Sequence, residues 1–568
     1  MRRCMSSKKL FVLLFVLLLP ALLSASVGPA AHKSRQGGGS VAQLALISSV
    51  DERQPIEVSL VLRGQSDGDL QRFLALVNNP SSSTYHRYLS AGEIDSRFGI
   101  RLSDRARVEA VLGRDGLPMP AFSADGLLAT LSLSAGQVQT FFHVRLQRYR
   151  ATNGRLYVAP SQPPQLPSEL AGLVVGVLGL DQRAELGDDA VLTHRAGEVS
   201  GVTGLGPADI ERAYDLGPLH QAGLDGYNQT IALAEIGTFN PADIAAYDQE
   251  YHIIAPAPQV TLVGGGASTR SAEPALDVEL VHAVAPHAHI LVYESGQDLR
   301  SVAQMISQIV SDDQAQVLSV SLGTCEAELD PRLATSFLAS LDGSFKRASA
   351  EGMSVLVASG DFGAYDCQDS ELSVGALAAS PYVTSVGGTT LFLHSDGTYD
   401  YEAGWEGPLE EAGSGGGLSR LYLRPSWQAG PGVQNASSNG MREVPDVSLD
   451  ADPLTGYAIY YSGTGCSSKC WQIVGGTSAA TPLWASLVLL INQLAEEHGQ
   501  HQLGFLNQAL YQLGAEAGTG GITAPLPFHD VTIGGNLFYD ATPGWDYSSG
   551  WGSPDGSVLA GDLLHANA

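Results

Sequence analysis

Positive charge is scarce in this chain. Lys and Arg number 31 against 59 Asp and Glu, a net charge of −28 over 568 residues. A surface of that sign repels nucleic acid and anionic membranes, so neither is expected as a partner. Cysteine is sparse too, at five, which excludes a small disulfide-framed scaffold. Charged residues are only 16% of the chain and hydrophobic ones 44%, the reverse of a disordered composition. No His-Glu-x-x-His run occurs, so the helix of a zinc peptidase is missing. The Gly-x-Ser-x-Gly elbow of an esterase is missing as well. After the first two dozen residues, no stretch reads as apolar for long enough to span a bilayer.

What is present points to a large exported globular protein. The length exceeds a single core, so two or more domains are expected. The 65 Gly and 29 Pro make it rich in loops. The acidic balance suits low pH, because self-repulsion falls as carboxylates take up protons; simple solubility is the plainer reading. Met1-Arg2-Arg3 and Lys8-Lys9 precede an apolar run from Leu10 to Leu23, followed by Ser24-Ala25-Ser26. That order is a secretory signal over residues 1–26, so a secreted, extracellular product is expected. Beyond Cys4, four cysteines remain. Cys466 and Cys470 can clip a hairpin tip, and Cys325 and Cys367, each after a strand-like run, can pair. A zinc site is the alternative, without a histidine pattern to support it.

Residues 42–182 alternate strand and helix signals. Pro55–Leu62 and 128–133 read as strands, and 69–77 and 134–142 as amphipathic helices, which suggests a small α+β sandwich. Residues 183–203 are poor in large apolar groups and read as an exposed, cleavable linker. From 204 onward, continuous apolar strands alternate with helices: 230–236, 289–293, 317–323 and 353–360. That is an α/β pattern with a parallel sheet covered on both faces. Ligands of such sheets bind at carboxyl ends of strands. The ends at Ser321-Leu322-Gly323, Ser359-Gly360-Asp361 and Gly476-Thr477-Ser478 are candidates to meet in one cleft.

Ser478 stands at the mouth of a helix, in Gly475-Gly476-Thr477-Ser478-Ala479-Ala480-Thr481-Pro482. Unpaired N–H groups and the helix dipole favour an anionic intermediate there. Thr481-Pro482 fits a first helical turn, where proline forfeits no hydrogen bond. A helix cap is the plainer reading. A nucleophilic serine needs a base, and no histidine sits in a diagnostic setting; His282, His287 and His289 read as structural. Glu273 and Asp277, four apart, stack on one helix face and can share a proton. The alternative is a solvated helix start. Asp361 directly follows a buried strand, where a neutral carboxylic acid can donate a hydrogen bond to an oxyanion; a turn-capping aspartate is the alternative.

The serine loop resembles that of the subtilisin superfamily. Val284-Ala285-Pro286-His287-Ala288, Ser319-Val320-Ser321-Leu322-Gly323 and Ser359-Gly360-Asp361 resemble its helix-to-strand passage, substrate strand and oxyanion loop. Two departures mark the sedolisins, the serine-carboxyl peptidases that include kumamolisin and tripeptidyl-peptidase. The His-Gly-Thr-His helix is absent where Glu273 and Asp277 stand, and Asp361 replaces an asparagine. Ser414-Gly415-Gly416-Gly417-Leu418-Ser419, Arg424-Pro425-Ser426-Trp427-Gln428 and Val444-Pro445-Asp446-Val447 also match, and Tyr85-His86-Arg87-Tyr88-Leu89-Ser90 resembles part of that family's activation prodomain.

The resemblance implies a subtilisin-like parallel sheet behind an α+β sandwich prodomain over 42–182, with the peptidase domain at 204–568. It implies Ser478 as nucleophile, Glu273 as base and acid, Asp277 as its orienter and Asp361 as neutral oxyanion donor. Ser321, Leu322 and Gly323 would pair with a protein or peptide substrate as an added strand. The prodomain would act as intramolecular inhibitor until acid self-cleavage within 183–203 releases a mature chain starting near Thr203. A monomer is expected. Endopeptidase and tripeptidyl-peptidase action both remain open. Asp530-Val531 with Thr542, Gly544 and Asp546 resembles the family's site for one calcium ion. Hard oxygen ligands favour that metal, and Thr542 replaces the usual glycine at what would be a backbone ligand. The rival functions are a peptide-binding protein without catalysis and an esterase using the same serine.

Overall fold

The computed structural model describes residues 45–150, 154–188, 191–195, 204–407, 411–463, 466, 470–521 and 525–566. The expected export signal at 1–26 lies outside them.

The N-terminal part is a sandwich with a core of its own. Leu128–Ser134, Pro55–Leu62 and Val174–Leu178 pair antiparallel, with Ala121–Phe122 at the edge. A second small sheet joins Ala45–Ser49, Leu146–Arg150 and Leu156–Pro160. Inward-facing Val58, Leu60, Leu131 and Leu133 meet Val108, Leu112, Val138 and Phe142 in one apolar cluster. The expected 134–142 helix forms at Ala135–Phe141, started by a reciprocal cap between Ser134 and Gln137.

The larger part is built on an eight-stranded sheet. Six strands run in the order Gln259–Leu262, His289–Glu294, Thr230–Glu235, Val317–Val320, Ser354–Ala358 and Thr384–Leu393. All neighbours among them are parallel. Val447–Asp450 adds in parallel to the last strand and Tyr399–Gly404 antiparallel. That antiparallel member was not legible in the parallel pattern. Helices Glu273–Val284 and Thr477–Glu497 pack together in one core cluster, and Leu299–Asp312 and Pro331–Glu351 in another. Thr477–Glu497 is long and apolar enough to cross a membrane, contrary to the sequence reading, but it is buried in the core.

The sandwich docks on the helices Leu299–Asp312 and Pro331–Glu351. Asn78 donates to Ser349 at 2.8 Å, the Leu89 N–H to the Ala350 carbonyl at 3.0 Å, and Ser307 to Asp125 at 3.0 Å. Ion pairs join Lys346 to Asp67, Arg300 to Glu57 and Arg347 to Asp95. Disulfides pair Cys325 with Cys367 and Cys466 with Cys470, so the zinc alternative falls.

Candidate active site

The serine loop follows the strand Trp471–Gly475 and turns at Gly476, whose φ of +105° favours glycine. Ser478 is the second residue of the helix, fully buried, and its Oγ makes no hydrogen bond among the described residues. Pro482 is not in the first turn, as the sequence suggested; it is the sixth residue of the helix. Lacking an N–H, it cannot bond the carbonyl of Ser478 four residues back. The Ser321 hydroxyl reaches that carbonyl instead, at 3.4 Å.

The acidic pair lies across from this loop. Every residue of the Glu273–Val284 helix is buried, with Glu273 at 1% and Asp277 at 0% exposure. A solvated helix start is therefore ruled out. Ser321 Oγ lies within hydrogen-bond reach of both oxygens of Asp277, at 3.0 and 3.2 Å. One hydroxyl thus ties the acidic helix to the serine loop, with Glu273 one helical turn ahead of Asp277. This contact was missed in the sequence, where Ser321 reads only as part of a substrate strand.

Asp361 completes the group. Its Oδ1 accepts from the Thr477 N–H at 2.7 Å and the Thr477 hydroxyl at 2.9 Å, and Oδ2 has no partner among the described residues. Burial pushes this carboxyl up to about 7, against the lowering effect of the two Thr477 bonds. Thr477, adjacent to Ser478, is a further positioning residue that the sequence reading passed over; its place directly before the serine was the available signal. The histidines are occupied elsewhere. His282 contacts Asp248 at 2.9 Å and His287 contacts Asp225 at 2.7 Å.

Segment 183–203 is not a simple exposed loop. Gly187–Asp188 pairs antiparallel with Leu322–Gly323, and Val191–Arg195 pairs antiparallel with Trp471–Gly475, placing Val191 opposite Gly475. The linker's main chain pairs with the backbone groups of both edges. Leu322 and Gly323 therefore do pair with an extended chain, here the protein's own linker. Residues 189–190 and 196–203 lie outside the described structure.

The second constellation gathers at the 542–546 loop. Gly544 N–H reaches both oxygens of Asp530 at 3.1 Å, and Thr542 N–H reaches Asp546 at 2.8 Å. Asp546 is buried and pushed up to about 7 by that burial. Val531 is buried beside Asp530. Among the described residues, no three His, Cys, Asp or Glu side chains cluster as a metal site; the loop offers two carboxylates and backbone oxygens.

The chain is similar to known proteins over most of its length. Residues 42–183 match the pro-kumamolisin activation domain and 259–552 the subtilase family. Kumamolisin from Bacillus sp. (strain MN-32) is 31% identical, covering 94% of this chain and 96% of its own. Sedolisin from Pseudomonas sp. (strain 101) is 31% identical, covering 90% and 87%. A solved Pseudomonas sedolisin, a serine-carboxyl proteinase complexed with two molecules of pseudo-iodotyrostatin, superposes with a TM-score of 0.55 at 29% identity, over 65% of this chain and all of that one. A serine beside buried carboxyls, joined to an activation domain and matched over almost its full length, makes this chain a member of the sedolisin family of serine-carboxyl peptidases, produced as a proenzyme.

Proposed function

We propose that the chain is a secreted, monomeric, acid-acting peptidase that cleaves peptide bonds through an acyl-enzyme on Ser478. Glu273 takes the Ser478 hydroxyl proton as Oγ attacks the carbonyl carbon. The carbonyl π pair moves onto oxygen, and protonated Asp361 donates to that oxyanion. Collapse breaks the C–N bond, and Glu273 returns the proton to the leaving amine. Water then attacks the ester by the same steps, regenerating Ser478 and releasing the acid product. Asp277, held by Ser321, orients Glu273.

One observation carries this reading. Asp361 is buried beside Ser478, with one oxygen saturated by Thr477 and the other unpartnered, and its pKa is raised to about 7. A carboxyl so placed is neutral in acid and can donate. Ser478→Ala should abolish proteolysis while leaving the thermal melt intact; full activity in that folded variant would refute the assignment. Cleavage in cis is expected within residues 183–203, and N-terminal sequencing of the acid-processed chain reads it.

Asp530 and Asp546 would hold one calcium ion with backbone oxygens of Val531, Thr542 and Gly544. The donor chemistry fits, because neither carboxylate pairs with Lys or Arg among the described residues and Asp546 is buried. Bound calcium would supply structural cross-bracing of this loop, not chemistry.

A further inference from the structure

A polar cavity of about 560 Å3 lies at the far end of the sheet from the candidate active site. Gln229 and Gln316 line it at the amino ends of the strands Thr230–Glu235 and Val317–Val320, whereas Ser321 and Asp361 stand past the carboxyl ends of theirs. Three helices end at the cavity. Glu351 closes Pro331–Glu351, Asp313 directly follows Leu299–Asp312, and Glu496 is next to last in Thr477–Glu497. Ser478 is at the other end of that last helix, about 27 Å away by helical rise. A helix C-terminus carries partial negative charge, which a basic residue offsets well. None of these three helices has a basic residue in its last turn, and each brings a carboxyl group to the cavity instead. Among the described residues lining it, His501 is the one basic side chain.

The same wall holds polar atoms without partners. Gln229, Asn492 and Glu351 are 3%, 2% and 7% exposed, and Gln229 Oε1, Asn492 Nδ2 and Glu351 Oε2 make no hydrogen bond among the described residues. Their other polar atoms are taken. Gln229 Nε2 donates to Glu496 at 3.1 Å, the Leu503 N–H to Asn492 Oδ1 at 2.9 Å, and Arg347 Nε to Glu351 Oε1 at 2.9 Å. A buried polar atom left unpaired is costly, so this wall favours a polar, positively charged occupant. No three His, Cys, Asp or Glu side chains among the described residues group closely enough to hold one metal ion. The carboxyl groups are spread around the wall, and a ligand must carry its charges apart in the same way. Tyr88 and Leu89 of the activation domain also line the cavity and offer apolar surface. Its volume suits a small organic molecule.

We propose that this cavity binds a linear aliphatic polyamine, with its ammonium groups on Asp313, Glu351 and Glu496 and its methylene chain on Tyr88 and Leu89, across the seam between activation domain and peptidase. Burial holds Glu351 up at about 8, and an ammonium beside it favours its charged form. Because both parts touch the ligand, it binds the docked proenzyme better than the released peptidase. Spermidine is titrated calorimetrically, near neutral pH, into the full chain carrying Ser478→Ala, which keeps the activation domain attached. One saturable site is expected. Asp313→Asn or Glu496→Gln, added to that chain, should each raise Kd about tenfold, the loss of one hydrogen bond to a charged group. Both residues are exposed, so either variant keeps the fold, which a thermal melt checks. Uptake without saturation, or a Kd that neither variant moves, is general attraction to an acidic chain and overturns the site. Tighter binding of Mg2+ than of spermidine, weakened by the same variants, overturns the ligand class. The acid-converted native chain, without Tyr88 and Leu89, should bind about tenfold more weakly or worse; equal affinity overturns the placement across the seam. That last arm rests on the acid conversion proposed above. A native chain that stays intact in acid refutes the conversion, while the titration of the Ser478→Ala chain still decides the site.

Discussion

Docking of the activation domain should weaken in acid through His86. This side chain is 4% exposed and stacks on Tyr85 at 3.6 Å and Tyr88 at 5.4 Å between ring centres. The Tyr88 hydroxyl donates to the Leu503 carbonyl at 2.8 Å, which anchors the motif on the peptidase part. Burial, with His501 adding a like charge, lowers the His86 pKa from 6.5 to about 3. Asp313, Glu351 and Glu496 line a cavity of about 560 Å3 together with Tyr88 and His501. Burial holds Glu351 up at about 8, so it adds little negative charge in acid.

The sign follows from which state binds the proton. Docked His86 stays neutral, whereas an undocked, solvated His86 protonates below 6.5. Docking stability is therefore complete above 6.5 and is lost as pH falls from there toward 3. At 1.36 kcal/mol per unit, the loss reaches roughly 3 kcal/mol near pH 4, about a hundredfold in the docked population. His86→Phe keeps a stacked ring and removes the titration; His86→Gln is the second variant should the first misfold. Conversion of the full chain is followed on gels across pH. Both variants should match the native chain near neutrality and convert about tenfold more slowly near pH 4. Superimposable pH–conversion profiles for native and variant chains would refute the argument.

Other consequences can be measured directly. Asp361→Asn should keep part of the activity and extend it to higher pH, because an amide donates at every pH while Asp361 loses its proton near 7; an unchanged pH–rate profile counts against the donor role. Buried Glu326 and Asp342 are raised to about 7 and 6 by desolvation, so their contribution is present in acid and lost as pH rises through those values. The Tm should therefore fall between about pH 4 and pH 7, and a flat Tm over that range would contradict it. Added calcium should raise Tm through a stabilisation of about 2.7 kcal/mol at a hundred times Kd, and Asp546→Asn should remove that response; calcium-independent melting of the native chain would refute the site.

Two local parts of the candidate site were legible in the sequence. Ser478 sits in a small-residue loop, and Glu273 and Asp277 are one turn apart in sequence as in space. The parallel sheet was legible for the same reason, since each strand is a continuous apolar run. What stayed hidden depends on partners far along the chain. The Ser321 hydroxyl meets Asp277 across 44 residues and Ser478 across 157, and no spacing rule joins them. The antiparallel Tyr399–Gly404 strand, half exposed, carries no long apolar run.

Segment 183–203 is the most instructive difference. Its small, polar composition reads as a loop because side chains are what composition counts. The edges that take it up are lined with main-chain donors and acceptors, and they order any chain that can come close. Leu186 supplies one buried anchor. Main-chain pairing, which composition does not count, is thus what holds the described part of the linker against the peptidase edges.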